Sequence, residues 1–207
     1  MARRLRRSVA LAAWLVLTAW AMPAFAADEV VGSVLAIRGA VFFDAAAGQQ
    51  PLAINAAVHR GDAIVTVAGK VKIVLNDGSI VSIGEHSRVE LAVYAGKGSG
   101  TKITLRLLTG VLRPLVSRAT SQGTFEVETE TAIAAVRGTD WVIEATPERT
   151  SVAVVSGVVA VTSRADRATE VLRLPGHGTD VLKGRPPTPA VPWGIKRLAD
   201  VLARATF

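Results

Sequence analysis

The sequence predicts an all-β domain followed by one short amphipathic helix. Between residues 30 and 182, apolar residues mostly alternate with polar ones, which is the period of a strand with one buried face. Turn-forming residues separate these strand-sized segments roughly every 8–12 residues, as in all-β folds. No stretch of about 12 residues in this body carries the apolar stripe of a helix.

The first 26 residues have the pattern of a secretory signal peptide. Four arginines between residues 3 and 7 precede an uncharged apolar run over residues 8–21. Pro23 ends the run, and residues 24–26 place alanine at the two positions that a signal peptidase reads. Because the apolar run is shorter than the roughly 20 residues of a spanning helix, we expect cleavage after Ala26. The alternative is an uncleaved membrane anchor.

Charge and cysteine content exclude several classes of protein. The 207 residues include 24 Lys and Arg against 17 Asp and Glu, and no Cys. Without Cys there is no disulfide framework, no thiolate metal site and no Cys nucleophile. The positive excess lies in residues 1–26 and after residue 182, so residues 27–182 carry 15 basic and 16 acidic side chains. Such a body gives no support to nucleic-acid binding, and we expect none.

The individual strands follow from alternation and from β-branched runs. Residues 70–75, 102–107 and 124–129 alternate apolar and polar side chains. Residues 151–155 and 158–162 are Val-rich bursts, which are typical of deeply buried strands.

Glycine beside short polar residues indicates the turns. Asp77 and Gly78 predict a hairpin turn. Residues 61–62 and 156–157 predict further tight turns, and the Gly-rich run over residues 96–100 predicts an exposed loop.

A glycine followed by an apolar β burst recurs along the chain, at Gly39, Gly110 and Gly157. Such recurrence is typical of stacked β layers. It favours a β-solenoid-like arrangement slightly over a sandwich or a barrel.

The chain changes character after Leu182. Three prolines within residues 183–189 predict a stiff, extended linker. Apolar residues then recur at helical spacing from Ile195 to Ala205, which predicts a short amphipathic helix. Three interpretations of this helix remain open: it docks on the β body and covers an open end, it binds a partner, or it lies on a membrane surface.

The expected organisation therefore has three parts. Residues 1–26 form the signal peptide, residues 27–182 form the all-β domain, and residues 183–207 form the Pro-rich linker and the helix.

Several linked segments resemble the FecR domain family, and together they extend over roughly residues 30–182. The segments are residues 61–66, 74–83 with 87–91, 107–112, 125–129 with 136–143, 152–161 and 174–178. Each is short, but their order and spacing are specific to the family. The resemblance implies a FecR-type fold, with structural roles in turns and core for the signature residues Asp62, Asp77, Gly78, Ser79, Gly110, Phe125, Gly138, Thr139, Trp141 and Gly157.

The resemblance also implies a cellular setting. The FecR regulator begins with a cytoplasmic anti-sigma segment and a membrane span, and its periplasmic part carries signals from an outer-membrane receptor. Here the signal-peptide pattern precedes the domain directly. We therefore expect a periplasmic or secreted FecR-type domain without sigma-factor control inside this chain. Two mild departures are Glu130, where the family often has Pro, and Trp141, where Phe is common.

Two groups of charged residues are candidate partner contacts. Glu126, Glu128 and Glu130 alternate, so they share one face of a strand and form an acidic stripe. Such a stripe fits a basic partner surface or a weakly held cation, and the alternative is a solvated face. The second group lies on the predicted helix and comprises Lys196, Arg197 and Arg204.

The sequence carries no motif for catalysis, cofactor binding or metal binding. His59, His86 and His177 lie far apart, and none has the spacing of a zinc site. A nucleophile elbow, a Walker loop and a dinucleotide-binding fingerprint are all absent. The sequence therefore predicts no enzymatic activity, no cofactor and no metal.

These observations predict an exported, non-enzymatic module that binds another envelope protein in signalling or assembly. Exposed strand edges offer a mechanism, because a partner strand can add to an open sheet edge. One alternative is a structural envelope protein, or one associated with carbohydrate or peptidoglycan. The other is a hydrolase whose site is assembled only by the fold.

Overall fold

The computed structural model describes residues 29–45, 48–95, 100–118 and 123–207. The predicted signal peptide and most of the predicted loop at residues 96–100 lie outside the described residues. The described part contains seventeen strands and one helix. They are β1 (Val30–Arg38), β2 (Val41–Ala45), β3 (Gly48–Pro51), β4 (Ala57–His59), β5 (Ala63–Thr66), β6 (Lys70–Leu75), β7 (Ile80–Ile83), β8 (Arg88–Ala95), β9 (Lys102–Leu115), β10 (Thr124–Glu128), β11 (Ala132–Val136), β12 (Asp140–Thr146), β13 (Arg149–Ser156), β14 (Val159–Ser163), β15 (Thr169–Leu172), β16 (His177–Leu182), β17 (Val191–Pro192) and α1 (Ile195–Ala205).

The strands form two layers that share one long strand. The first sheet has the order β4-β1-β6-β7-β9-β12-β13-β16-β17. The second has the order β3-β2-β5-β8-β9-β10-β11-β14-β15. Gly110 lies where β9 passes from one sheet to the other, with φ +100°, and a Cβ there would strike Ser87. Only glycine accepts both the conformation and the close approach.

Hairpins alternate between the layers along the chain. β10 and β11 pair in the second sheet, β12 and β13 in the first, and β14 and β15 in the second again. Both sheets therefore advance from N-terminal strands at one end to C-terminal strands at the other. The prediction of an all-β fold with stacked layers and a C-terminal helix is confirmed.

The pairing between strands is antiparallel, with the parallel pair of β9 and β10 as the exception among the described strands. The parallel coil-on-coil pairing of a regular solenoid is thus confined to that one pair. Within the described residues neither sheet closes on itself.

One apolar core fills the space between the two sheets. Its largest fully buried side chain is Trp141 on β12, and Phe125 on β10 packs in the same cluster. On β6 the alternation predicted from the sequence buries Val71, Ile73 and Leu75 on one face. Each such side chain contributes about 1.5–3 kcal/mol on burial, so the alternation itself decides which face of β6 turns inward.

The residues predicted as a linker lie along the edge of the first sheet. Val191 and Pro192 pair with β16, and the Thr188 N–H donates to the Asp180 carbonyl at 3.0 Å. The Thr179 hydroxyl donates to the Thr188 carbonyl at 2.6 Å. Proline keeps this segment extended and removes N–H donors, so the tail covers β16 while offering little to another strand.

α1 docks on the outer face of the first sheet, across β9 and β12. Its buried residues Val201 and Ala205 pack against Val111, Val142 and Ala153. Of the three interpretations of this helix, docking on the body is the one that the structure shows. The helix lies over middle strands, however, and the edge of the sheet is covered by the residues that precede it. No helix in the described ranges is long and apolar enough to span a bilayer.

Candidate functional site

The predicted hairpin at Asp77 joins β6 to β7 and links them to the end of β9. The Ser79 N–H donates to Asp77 Oδ1 at 3.0 Å, and the Ser79 hydroxyl donates to Asp77 Oδ2 at 2.6 Å. The same hydroxyl accepts the Ser117 N–H at 3.0 Å. Gly78 has φ +83°, as the tight turn requires. Asp77, Gly78 and Ser79 therefore have local contacts that account for them without a ligand.

The signature around Trp141 is a second set of turn contacts. Thr139 Oγ1 donates to the Val158 carbonyl at 3.1 Å and accepts the Val158 N–H at 3.3 Å. Gly157 has φ +96°, and a Cβ there would lie 2.7 Å from Thr139 Oγ1. Gly138 also has positive φ, at +59°. These contacts bring β12 and β14 together and place Trp141 in the core.

Asp62 makes a turn contact near the other end of the molecule. Its carboxylate accepts the His59 N–H at 2.7 Å. Among the described residues, no three acidic or His side chains gather as a metal site would require.

Glu126 and Glu128 lie on β10, but Glu130 lies beyond its end, so the prediction that all three share one strand face is wrong for Glu130. The three carboxylates face cations on β9 and in the turns after β14 and β16. Lys102 Nζ lies 3.8 Å from Glu126, and Lys183 Nζ lies 3.9 Å from Glu130. Glu128 lies between Arg106 Nε at 3.5 Å and Arg164 Nη1 at 3.6 Å. The stripe is therefore a ladder of mixed charges and not a bare acidic surface.

The parallel register of β9 and β10 explains this ladder. It places Thr124 opposite Lys102 and Glu128 opposite Arg106. The alternation of Lys102 and Arg106 on β9 was a visible signal in the sequence. What the sequence could not supply was the pairing partner, because strand order depends on contacts across the whole fold.

The ladder ends at a cleft of about 450 Å³, which we call the charged cleft. It is formed by the middle of β9, the end of β10, the turns after β12 and β14, and the residue after β16. Its lining residues are Arg106, Leu107, Leu108, Glu128, Thr129, Glu130, Pro147, Arg164 and Lys183. Two of the three predicted acidic residues line the cleft, and the three cations around them were missed by the sequence reasoning.

The predicted basic residues of the helix lie elsewhere, on the other sheet. Arg197 Nη2 donates to Asp180 Oδ1 at 2.6 Å, and its guanidinium stacks 3.7 Å over the Trp193 ring. Arg204 Nη1 donates to Glu144 Oε1 at 2.7 Å. Two of the three predicted cations thus hold the tail to the body, whereas Lys196 is exposed.

Electrostatics at these tail contacts favours the docked state. Burial alone would raise the pKa of Asp180, but hydrogen bonds from Arg197 and Ser151 outweigh burial and lower that pKa. The hydrogen bond to Glu144 raises the pKa of Arg204. Both shifts favour the charged form of the group, as expected for partners fixed at hydrogen-bond distance.

The end of the helix is also fixed by the body. Lys70 Nζ on β6 donates to the carbonyls of Ala203 at 2.7 Å and Thr206 at 3.0 Å. A lysine at this position satisfies carbonyls that the helix leaves free and complements the negative end of its dipole. Arg113 Nη1 donates to Thr206 Oγ1 at 3.1 Å. The tail therefore has an anchoring contact near each end of α1.

Comparison with known proteins identifies a family. Residues 62–160 match the family described as FecR protein. Two crystal structures of a Parabacteroides distasonis ATCC 8503 protein, described as a candidate anti-sigma factor, have a similar fold at 18% and 19% identity and TM-scores of 0.54 and 0.55. In both, the match covers 67% of this chain and 62% of that chain. A comparison with curated proteins finds no match.

The double-layered fold and its turn signature define an all-β domain of the FecR type. The FecR match at residues 62–160 confirms the resemblance that the motifs predicted. At these identities, the likeness to the two solved structures concerns the fold alone.

Proposed function

We propose that this protein is an exported FecR-domain module that binds another envelope protein and acts in envelope signalling without enzymatic activity. Two findings support the proposal: the FecR family match and the structural likeness to a protein described as a candidate anti-sigma factor. Export is proposed from the signal-peptide pattern of residues 1–26.

The observation that carries the proposal is the difference between the covered C-terminal edge of the first sheet and the open N-terminal edge of the second. At the C-terminal end, β16 is covered by the Pro-rich tail. In the second sheet the outer strands β3 and β15 each pair with one strand among those described, and β3 differs in that all four of its residues are exposed. An uncovered edge is where an added strand can extend a sheet.

The backbone of β3 has defined groups on its outer side. The Leu52 N–H donates to the Val41 carbonyl at 2.9 Å, so the backbone of Leu52 faces β2. Inward and outward groups alternate along an antiparallel strand, which turns the N–H and carbonyl of Gln49 outward. Pro51 offers only a carbonyl on that side. A partner strand would therefore pair at Gln49.

The proposal is tested by two substitutions at that residue in the full chain. Gln49→Pro removes the outward N–H, whereas Gln49→Ala keeps it and removes the side chain. Because this N–H faces away from β2 and pairs with no other described strand, both variants are expected to melt close to the wild-type temperature. Partner recovery after cross-linking in envelope extract is expected to fall about tenfold for Gln49→Pro and little for Gln49→Ala.

Two outcomes would contradict the proposal. One is equal partner recovery with Gln49→Pro and wild type. The other is co-sedimentation of the chain with purified peptidoglycan while no protein is cross-linked, which would favour a structural role. The intact mass of the recovered protein is expected to equal that of a chain that begins at Ala27. A mass equal to that of the chain from Met1 would contradict signal-peptide cleavage.

A further inference from the structure

The cations of the charged cleft make only long ion pairs, so they can form closer hydrogen bonds to a ligand. Within the described residues, the ion pairs of Arg106, Arg164 and Lys183 span 3.5–3.9 Å. In contrast, the tail pairs of Arg197 and Arg204 span 2.6 and 2.7 Å. A guanidinium carries five N–H donors in a planar fork, so one or two long contacts leave most of that fork available in Arg106 and Arg164.

The position of Glu128 shows which anion the two arginines suit. Its carboxylate accepts a long hydrogen bond from Arg106 Nε at 3.5 Å and lies 3.6 Å from Arg164 Nη1. A planar carboxylate is the group that arginine forks bind in bidentate fashion. Glu128 therefore occupies, loosely, the place of a ligand carboxylate.

The net charge of the cleft limits the charge of a ligand. Three cations face two carboxylates in the lining, Glu128 and Glu130, and Glu90 lies 3.5 Å from Arg106 beside it. A dianion such as a phosphate monoester would meet these carboxylates at short range, and like charges in one site repel. A singly charged group meets less repulsion from these carboxylates than a dianion does, so a carboxylate is favoured over phosphate.

The walls of the cleft add an apolar surface beside the cations. Leu108 is 46% exposed and lies with Pro147 at the rim. Thr129, which also lines the cleft, is fixed by hydrogen bonds within the protein. Its Oγ1 lies 2.6 Å from Thr150 Oγ1 and donates to the Ala132 carbonyl at 3.0 Å. With its hydroxyl occupied, Thr129 is not a donor for a ligand.

We propose that the charged cleft binds a peptide carboxylate next to an apolar side chain, with Arg106 and Arg164 on the carboxylate and Leu108 with Pro147 on the side chain. This site is separate from the β3 edge, so it extends the proposed function without depending on strand addition. The carboxylate can come from an acidic side chain or from a free C-terminus of a partner peptide.

The test is a titration of the full chain, followed by amide NMR shifts at Leu107, Leu108 and Thr129. The probes are acetyl-Ala-Leu with a free carboxylate, its C-terminal amide, acetyl-Asp-Leu-amide and inorganic phosphate. Saturable shifts are expected with a carboxylate probe and not with the amide or phosphate. Binding of the free-carboxylate probe assigns the source to a C-terminus, and binding of the Asp probe assigns it to a side chain.

Variants separate binding from folding. Arg106→Gln and Arg164→Gln are each expected to weaken carboxylate binding about tenfold, whereas the exposed control Arg173→Gln leaves it unchanged. Glu128→Gln removes the internal competitor and is expected to tighten binding severalfold, which a purely structural role would not produce. The proposal is overturned if no probe binds up to about 10 mM, if the amide or phosphate binds equally well, or if Glu128→Gln weakens binding.

Discussion

At the scale of single residues, two kinds of glycine serve the fold for different reasons. Gly110 and Gly157 have positive φ and also lie against neighbouring side chains. Gly84 and Gly178 instead make room for the tail: a Cβ at Gly84 would lie 2.5 Å from the Arg204 carbonyl, and one at Gly178 would strike the Trp193 ring. For this second pair, space rather than backbone conformation requires glycine.

Gly178→Ala is therefore expected to loosen the tail without unfolding the β body. The added methyl group would meet the Trp193 ring and lie 2.6 Å from the Val152 carbonyl. Overpacking of this kind costs about 1–3 kcal/mol. Moving Trp193 away relieves the ring contact, and a small shift between β13 and β16 is needed to relieve the carbonyl contact. Hydrogen exchange of the full chain should show faster exchange over residues 193–207 and little change in the strands of the second sheet.

Gly194→Ala is the matched control, because a Cβ at Gly194 meets nothing within 4 Å. Its exchange is expected to resemble that of wild type. Equal exchange in Gly178→Ala and Gly194→Ala would show that the packing of Trp193 on Gly178 does not hold the tail.

At the scale of elements, α1 and its docking contacts form one coupled unit. The helix has eleven residues and no side-chain cap at its N-terminus, and isolated helices of this length are marginal in water. Its stability therefore comes from the sheet face beneath Val201 and Ala205 and from the polar contacts at its ends. The tail is expected to open below the free energy of global unfolding.

Acid should weaken this docking through Asp180. Its pKa lies below the usual Asp value because hydrogen bonds from Arg197 and Ser151 outweigh the opposing effect of burial. A depressed pKa stabilises the state that holds the charged group at pH values above the ordinary one, about 3.9. The contribution from Arg197 is lost as the pH falls through the lowered pKa, so exchange over residues 193–207 is expected to rise there.

Arg197→Gln distinguishes this cause from general acid destabilisation. In this variant, exchange over residues 193–207 should be faster at neutral pH and should rise less as the pH falls. In Lys196→Gln, both the exchange and its pH dependence should match wild type. The account of Asp180 is wrong if Arg197→Gln keeps the full acid response.

At the scale of the whole molecule, local patterns in the sequence were sufficient for the fold class. Alternation predicted β6, the Asp-Gly pair predicted its hairpin with β7, and helical spacing predicted α1. The order of strands was not predictable, because pairs such as β1 with β6 and β9 with β12 join segments distant in the sequence. The linker was predicted to be extended, but its pairing with β16 was not, because the sequence does not show that β16 lies at the edge of the first sheet.

The candidate site was predictable only in part for the same reason. Alternation placed Glu126 and Glu128 on one face of β10, whereas Glu130 lies in the turn that follows. Glu128 and Glu130 line the charged cleft. Arg164 and Lys183 come from turns distant in the sequence, and no local signal links them to Glu128 or Glu130. The roles of Arg197 and Arg204 also differ from a free partner contact, because each faces a carboxylate on the first sheet.

The central claim is that the second sheet keeps an open edge at β3 for a partner strand, whereas the chain's own tail covers the edge of the first sheet at β16. Amide exchange at Gln49 in the full chain, measured alone and with the cross-linked partner, tests this most directly. We predict fast exchange alone and at least about tenfold slower exchange in the complex, with Gln50, which faces β2, protected in both. Equal exchange of Gln49 in the two states would contradict strand addition at β3.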